Sequence, residues 1–417
     1  MKPLRLSRLA VIIAAIGFSA APEMLNIAAN TAFAQESMRP EVGKIVQAAG
    51  ELYKAKKYKD ALTKLHDTDS VGGKTLSENF TIERMRLSIA SAAGDNDAVI
   101  RAAESVVSAN KLAGKDQLQL IQVLANAYYK AGNYAKASQA YGRYFAEGGT
   151  DASLRPYMIH AMSMGGDNAK AMKEVKADLA ADEKAGRTPS LANLEFYANA
   201  ALKQNDKVGY ASALEKLVSF HGKKEYWVNL LNSVERKPGY SQRLSLDLFR
   251  LKLAVGQVTK TNDFMDMSQL SLQGGFPVEA IKIIDQGFKS GALGTGTETA
   301  RHNRLRDLAN KTLAETVKTQ AANESEANKS RDGNALVNLG YAYVTAGQFD
   351  KGIAMMEQGI AKGEIKYEED ANLHLGMAYL QAGKKSNAIK ILKSVQGKDG
   401  TGDLARYWLI FANQAKA

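Results

Sequence analysis

Cysteine is missing from all 417 positions. Its absence rules out disulfides, thiolate metal ligands, a cysteine nucleophile and a lipid-modified cysteine at a processed start. Proline is scarce, with seven residues and none after Pro277, so long stretches lack the residue that most disrupts a helix. No apolar run approaches the ~20 residues that a membrane-spanning helix requires. Signatures of catalysis are just as thin. His66, His160, His221, His302 and His374 are scattered, and none belongs to a His-Glu-x-x-His zinc motif. Asp370 and His374 stand four apart and could face one metal, but a zinc site needs three or four ligands. No Gly-x-Ser-x-Gly elbow occurs. Gly72-Gly73-Lys74-Thr75 ends like a phosphate-binding loop, yet Thr68 stands where the first glycine belongs and no buried strand precedes it. Gly291, Gly294 and Gly296 are not set in a βαβ unit and read as a loop. The expectation is a chain with no catalytic residues, no metal and no cofactor.

What is present is ordinary for a folded chain: 45% hydrophobic and 24% charged residues, enough for a large core. The start reads as an export signal. Lys2, Arg5 and Arg8 precede an apolar run from Leu9 to Phe18, and Ala32-Phe33-Ala34 offers small residues to a signal peptidase. Cleavage is expected after Ala34, which makes 1–34 a signal peptide and places the mature chain in the periplasm or outside the cell. With Glu23 that segment carries net +2, so the mature chain keeps about +9 of the formal +11. Such an excess suits acidic partners, although lysines also serve to keep helical surfaces solvated. No RNA-binding, helix-turn-helix or zinc-finger signature appears, so nucleic acid is not expected.

Internal repetition is the strongest signal. Leu339-Gly340-Tyr341-Ala342-Tyr343 followed by Ala346-Gly347 recurs as Leu375-Gly376-Met377-Ala378-Tyr379 followed by Ala382-Gly383, an offset of 383 − 347 = 36 residues. Each Ala-Gly precedes a second helical pattern: Phe349, Ile353, Met356 and Ile360, then Ala388, Ile389, Leu392 and Val395. Upstream, Leu124, Ala125, Tyr128, Ala131-Gly132, Tyr134, Ala137 and Tyr141 repeat it. Gly94 and Gly166 lie 38 residues before and 34 after Gly132, and Lys56 holds the turn in a still earlier copy. Gly275 with Pro277 marks another turn, with Pro277 in the first turn of its second helix. Between about 185 and 270 the register cannot be read.

These units resemble the tetratricopeptide repeat, a helix-turn-helix unit of 34 residues. The resemblance implies an all-α chain, a right-handed α-solenoid of antiparallel helix pairs. In that pattern Gly340 and Gly376 sit where two helices cross, and Gly347 and Gly383 sit in the tight turn. Gly352 and Gly359 replace the family's alanines and are expected to loosen their copy. The organisation expected is a repeat array over 35–300, a polar helical connector over 301–332 and a C-terminal pair with a capping helix over 333–417. In the connector the apolar spacing fades after Val317. The final run Leu404, Tyr407, Trp408 and Phe411, opened by Asp403 as N-cap, is expected to cover the last repeat.

The resemblance further implies a binding surface along the first helix of each pair, suited to an extended peptide or a partner helix. Carried over position by position, that surface comprises Arg84 and Ser88, then Gln122, Asn126, Tyr129 and Lys130, and near the C-terminus Tyr341 and Thr345. Tyr129 is the sharpest of these if exposed, its alternative being a tyrosine packed on the next repeat. The family's clamp for a C-terminal carboxylate is matched only in part. The function expected is a non-catalytic periplasmic scaffold or adaptor for protein partners, serving envelope assembly or transport. The alternative is an accessory binder of acidic envelope polymers, glycan or lipopolysaccharide.

Overall fold

Apolar spacing of helical period, with scarce proline, leads to twenty α-helices and no strand among the described residues, 38–414, of this computed structural model. The expected leader and its expected cleavage site after Ala34 lie outside them. No helix of the described residues is long and apolar enough to cross a membrane.

Two compact units divide between Gln204 and Asn205. In the first, α1 (Pro40–Lys54) pairs with α2 (Tyr58–His66), α3 (Leu76–Ala93) with α4 (Asn96–Ser108), α5 (Gly114–Lys130) with α6 (Tyr134–Ala146), and α7 (Arg155–Met164) with α8 (Asn168–Lys184). Helix α9 (Leu191–Lys203) packs on α8. The turn inside each pair has a simple cause. Gly132 takes φ +74°, a left-handed conformation that ends α5, and Asn133 then accepts the Lys136 backbone N–H to cap α6. Gly94-Asp95 and Gly166-Asp167 do the same for α4 and α8. At the first turn Lys56 adopts φ +60° without the relief a glycine gives.

The second unit comprises α10 (Lys207–His221), α11 (Lys224–Glu235), α12 (Ser245–Ala254), α13 (Thr261–Gln273), α14 (Pro277–Lys289), α15 (Thr299–Lys329), α16 (Asn334–Thr345), α17 (Phe349–Lys362), α18 (Glu368–Gln381), α19 (Lys385–Ser394) and α20 (Thr401–Gln414). Helix α14 begins at Pro277, where a missing N–H costs nothing. Helices α16 and α17 cross most closely: a Cβ on Gly340 would lie 2.6 Å from the Gly352 carbonyl oxygen, and one on Gly352 would lie 2.5 Å from the Gly340 oxygen. Gly359 likewise faces Gly333. Here the sequence expectation fails. Gly352 and Gly359 do not loosen the pair; they let two backbones meet where an alanine would hold them apart.

The expected division at 301–332 also differs from the grouping of the chain, since 205–300 and 333–414 belong to one unit. The connector is one helix, α15, and its polar residues are engaged. Gln320 Nε2 donates to the Tyr343 hydroxyl at 2.6 Å, Lys351 reaches Glu324 at 2.7 Å, and Lys362 reaches the Asn328 carbonyl at 2.7 Å. The closing helix begins at Thr401, so Asp403 lies inside its first turn and is not the cap. Its carboxylate takes Lys237 Nζ at 2.7 Å and Arg406 Nη2 at 2.5 Å. Trp408 is core, as expected. Beyond covering α18 and α19, α20 packs on α10 and α12, so the second unit closes on itself.

Candidate functional site

On the first helices of the first unit, five of the nominated side chains stand outside the core. Arg84 and Ser88, one turn apart on α3, are half-buried; Ser88 Oγ donates back to the Arg84 carbonyl at 3.1 Å. The Arg84 guanidinium lies 5.6 Å from the Phe80 ring centroid, and Lys111 Nζ lies 5.5 Å from the same ring. Burial lowers the pKa of Arg84, and the charge of Asp116, on the same cleft, only partly offsets this. Arg84 and Ser88 border a small solvent-open cleft floored by Leu87, Val106 and Leu120. On α5, Gln122 Nε2 reaches Asp151 at 3.5 Å, and Asn126 Oδ1 accepts the Tyr141 hydroxyl at 2.7 Å. Lys130 is exposed.

Tyr129 is not an exposed anchor. It is 9% exposed, pairs its hydroxyl with His160 Nδ1 at 2.7 Å, and receives Tyr134 and Tyr157 edge-on at 5.5 and 5.4 Å. Burial pushes its hydroxyl up to about 12 and holds the His160 imidazole below its usual range, hence neutral at pH 7. The reason is packing: α7 brings Tyr157 and His160 onto the face that α5 presents, and the tyrosine belongs to that interface.

Tyr341 and Thr345 are also interior. Tyr341 is 0% exposed, stacked on His374 at 4.9 Å, with the Arg250 guanidinium 4.6 Å and Phe276 5.5 Å from its ring. Thr345 is buried and gives its carbonyl to Lys282 Nζ at 2.6 Å. Tyr341 belongs to a buried ionic cluster that sequence reasoning missed. Arg250 donates to Asp247 at 2.7 Å and twice to Glu279 at 2.8 and 2.7 Å, and His374 Nε2 meets Asp247 at 2.9 Å. Burial pushes the Asp247 carboxyl up, but His374 and Arg250 outweigh it and hold it at about 2. A signal was available: Asp247 and Arg250 stand three apart inside a leucine-rich helix, where a charge needs a partner. Asp370 and His374 do not share a ligand, since Asp370 takes Arg243 at 2.7 Å while His374 takes Asp247. No group of three or more metal-ligating side chains gathers among the described residues.

The Gly72-Gly73-Lys74-Thr75 segment is a helix entry. Thr75 caps α3 in a reciprocal box with Glu78, and Lys74 Nζ binds the carbonyls of Thr68 and Val71 at 2.8 and 2.6 Å. Glu78 also takes Arg39, whose hydrogen bond holds the carboxyl at about 2.

Among known proteins, residues 333–361 match the family model of the tetratricopeptide repeat, which makes the α16–α17 pair one such repeat. No curated protein matches the chain. Solved structures it is similar to include the P58(IPK) TPR domain, at 12% identity over 90% of this chain and 99% of that one, with TM-score 0.23. The TPR2AB domain of yeast Sti1 in complex with pHSP90 aligns at 13% identity over 73% and 100%, with TM-score 0.24. Yeast Tom70 aligns at 13% over 90% and 96%, again with TM-score 0.24. At these TM-scores the likenesses carry no argument about shape or partner.

Proposed function

We propose that the chain is a non-catalytic scaffold that holds protein partners on the first-helix face of its first unit, working in the periplasm after removal of residues 1–34. One observation carries the reading: Arg84, Ser88, Gln122, Asn126 and Lys130 recur on successive first helices, α3 and α5, outside the core. Repeats of stacked helix pairs commonly use such a face for extended partners. Capture from envelope extract tests it, comparing the native chain with a Gln122→Ala, Lys130→Glu variant. A protein captured by the native chain and lost by the variant supports the scaffold; equal capture by both removes the assignment of this face. Intact mass beginning at Gln35 in the periplasmic fraction supports export, and retention of residues 1–34 in a membrane pellet overturns it.

A second reading is an accessory binder of acidic envelope polymers such as glycan or lipopolysaccharide. Lys54, Lys56, Lys57 and Lys59 crowd the turn between α1 and α2, all exposed, and support it. Binding to isolated polymer that falls with added salt favours this reading over the first.

A further inference from the structure

Arg84 differs from four of the other buried or half-buried arginines; the fifth, Arg306, reaches only the Asn303 side-chain oxygen at 3.0 Å. Arg39 meets Glu78 at 3.0 Å, Arg86 meets Asp69 at 2.7 Å, Arg155 meets Asp178 at 2.7 Å and Arg250 meets Asp247 at 2.7 Å. Among the described residues, no carboxylate stands within the 4.0 Å of an ion pair with Arg84, although the side chain is half-buried. A guanidinium withdrawn from water without a counter-ion is costly, and a fold keeps one more readily where a ligand supplies the missing charge. Phe80 lies alongside the guanidinium, and the cleft beside it is floored by Leu87, Val106 and Leu120, exposed by only 4%, 2% and 4%. Asp116 stands on the cleft's border.

We propose that this cleft between α3, α4 and α5 receives one aspartate or glutamate side chain of a protein partner, set among apolar neighbours, with Arg84 as its counter-ion. The inference rests on the reading of the first-helix face as partner-binding and names the chemistry that face selects. Apolar floor residues accept the stem of the acidic side chain and its hydrophobic neighbours. Asp116 repels a second negative charge, so the cleft prefers an isolated acid to an acidic run, and a polyanion is disfavoured there.

A phage-displayed random heptapeptide library selected on the full chain tests this. Enriched peptides are expected to carry a single Asp or Glu flanked by apolar residues. Binding of a synthetic copy should weaken roughly ten- to a hundredfold both on Arg84→Gln and when the peptide's acid becomes its amide, the range of a charged hydrogen bond. Asp116→Asn should admit peptides with two or more acids. Arg84→Gln should leave the melting temperature unchanged or raise it, since no ion pair is broken and a desolvated charge is removed; a fall of several degrees makes Arg84 structural and overturns the proposal. Enriched peptides without an acid, or unaffected by Arg84→Gln yet lost on Gln122→Ala with Lys130→Glu, sink the proposal and leave the partner-binding face standing. If no peptide is enriched, both fall.

Discussion

Adding one methyl group at Gly352 should weaken the α16–α17 pair, whereas adding one at Gly142 should strengthen α6. Both glycines are helical, so alanine brings each the same propensity gain of ~1 kcal/mol. Their surroundings differ. A Cβ at Gly142 meets nothing within 4 Å, and the gain is kept. At Gly352 the Cβ would lie 2.5 Å from the Gly340 carbonyl oxygen, 2.6 Å from Val344 Cγ2 and 2.9 Å from the Val344 backbone nitrogen. Two of these are backbone atoms, which cannot rotate away, so the helix axes must separate by roughly 1 Å to restore ordinary contact. Overpacking of that kind costs ~1–3 kcal/mol, which less the propensity gain leaves a net loss of up to ~2 kcal/mol. In a unit of this size that lowers Tm by up to about 8 °C. Unfolding in one step is not assured for a chain of two units, so hydrogen exchange over 334–362 should accompany the thermal scan and localise the loss. Should Gly352→Ala stabilise as Gly142→Ala does, the two helices have room to part and the close-crossing argument is wrong.

Arg250→Met strands the Asp247 and Glu279 carboxylates in the interior and should cost ~3–5 kcal/mol in urea unfolding; a cost under ~1 kcal/mol would mean water reaches the cluster. Because the Asp247 carboxyl sits at about 2, below its unfolded value near ~4, its contribution is complete above ~pH 4 and is lost as pH falls towards 2. Thermal unfolding between pH 5 and pH 2 should show that loss, and Asp247→Asn should flatten it. Tyr129→Ala should lower stability by ~3 kcal/mol in urea unfolding; a loss under ~0.5 kcal/mol would return Tyr129 to the surface. The sequence places the first proteolytic cut at 321–333, but bonds from Gln320, Glu324 and Asn328 tie that stretch to α16 and α17. The first nick is now expected at 310–319, where the hydrogen bonds of Thr312, Thr316 and Thr319 stay within the helix, and peptide mapping of a brief digest decides between the two.

Helix pairs were legible wherever a glycine turn and a small crossing residue repeat at near-constant spacing, as at Gly132 and Gly347. The family match falls on the 333–361 copy, where Gly340 sits in the crossing assigned to it. Register was lost between 185 and 270 for a physical reason. Leu244, Leu246, Leu248 and Leu251 are all buried, so α12 is apolar on more than one face and no period stands out. The same surplus of partners explains the binding face. Spacing showed that Tyr129 and Tyr341 lie on first helices, but exposure depends on what the next element brings, and Tyr157, His160 and Arg250 come from elsewhere in the chain. Polarity misled in α15 too, because polar side chains bonded to a neighbour anchor a helix as apolar ones do.

The first helices of the two units therefore differ in how their charges are met. In the second, the charges presented by α12 and α18 are consumed internally: Asp247 is taken by Arg250 and His374, and Asp370 by Arg243. Helix α20 completes that closure, with Arg406 on Glu215 at 3.1 Å and Lys237 on Asp403 at 2.7 Å. A partner seated on α12 or α18 would have to displace bonds already formed, and breaking buried pairs costs several kcal/mol each. In the first unit the balance is reversed. Arg84 has lost water without gaining a carboxylate, so a partner that supplies one displaces no ion pair there. On the proposed reading, that difference in cost favours α3 and α5 over α12 and α18 as the seat of a partner.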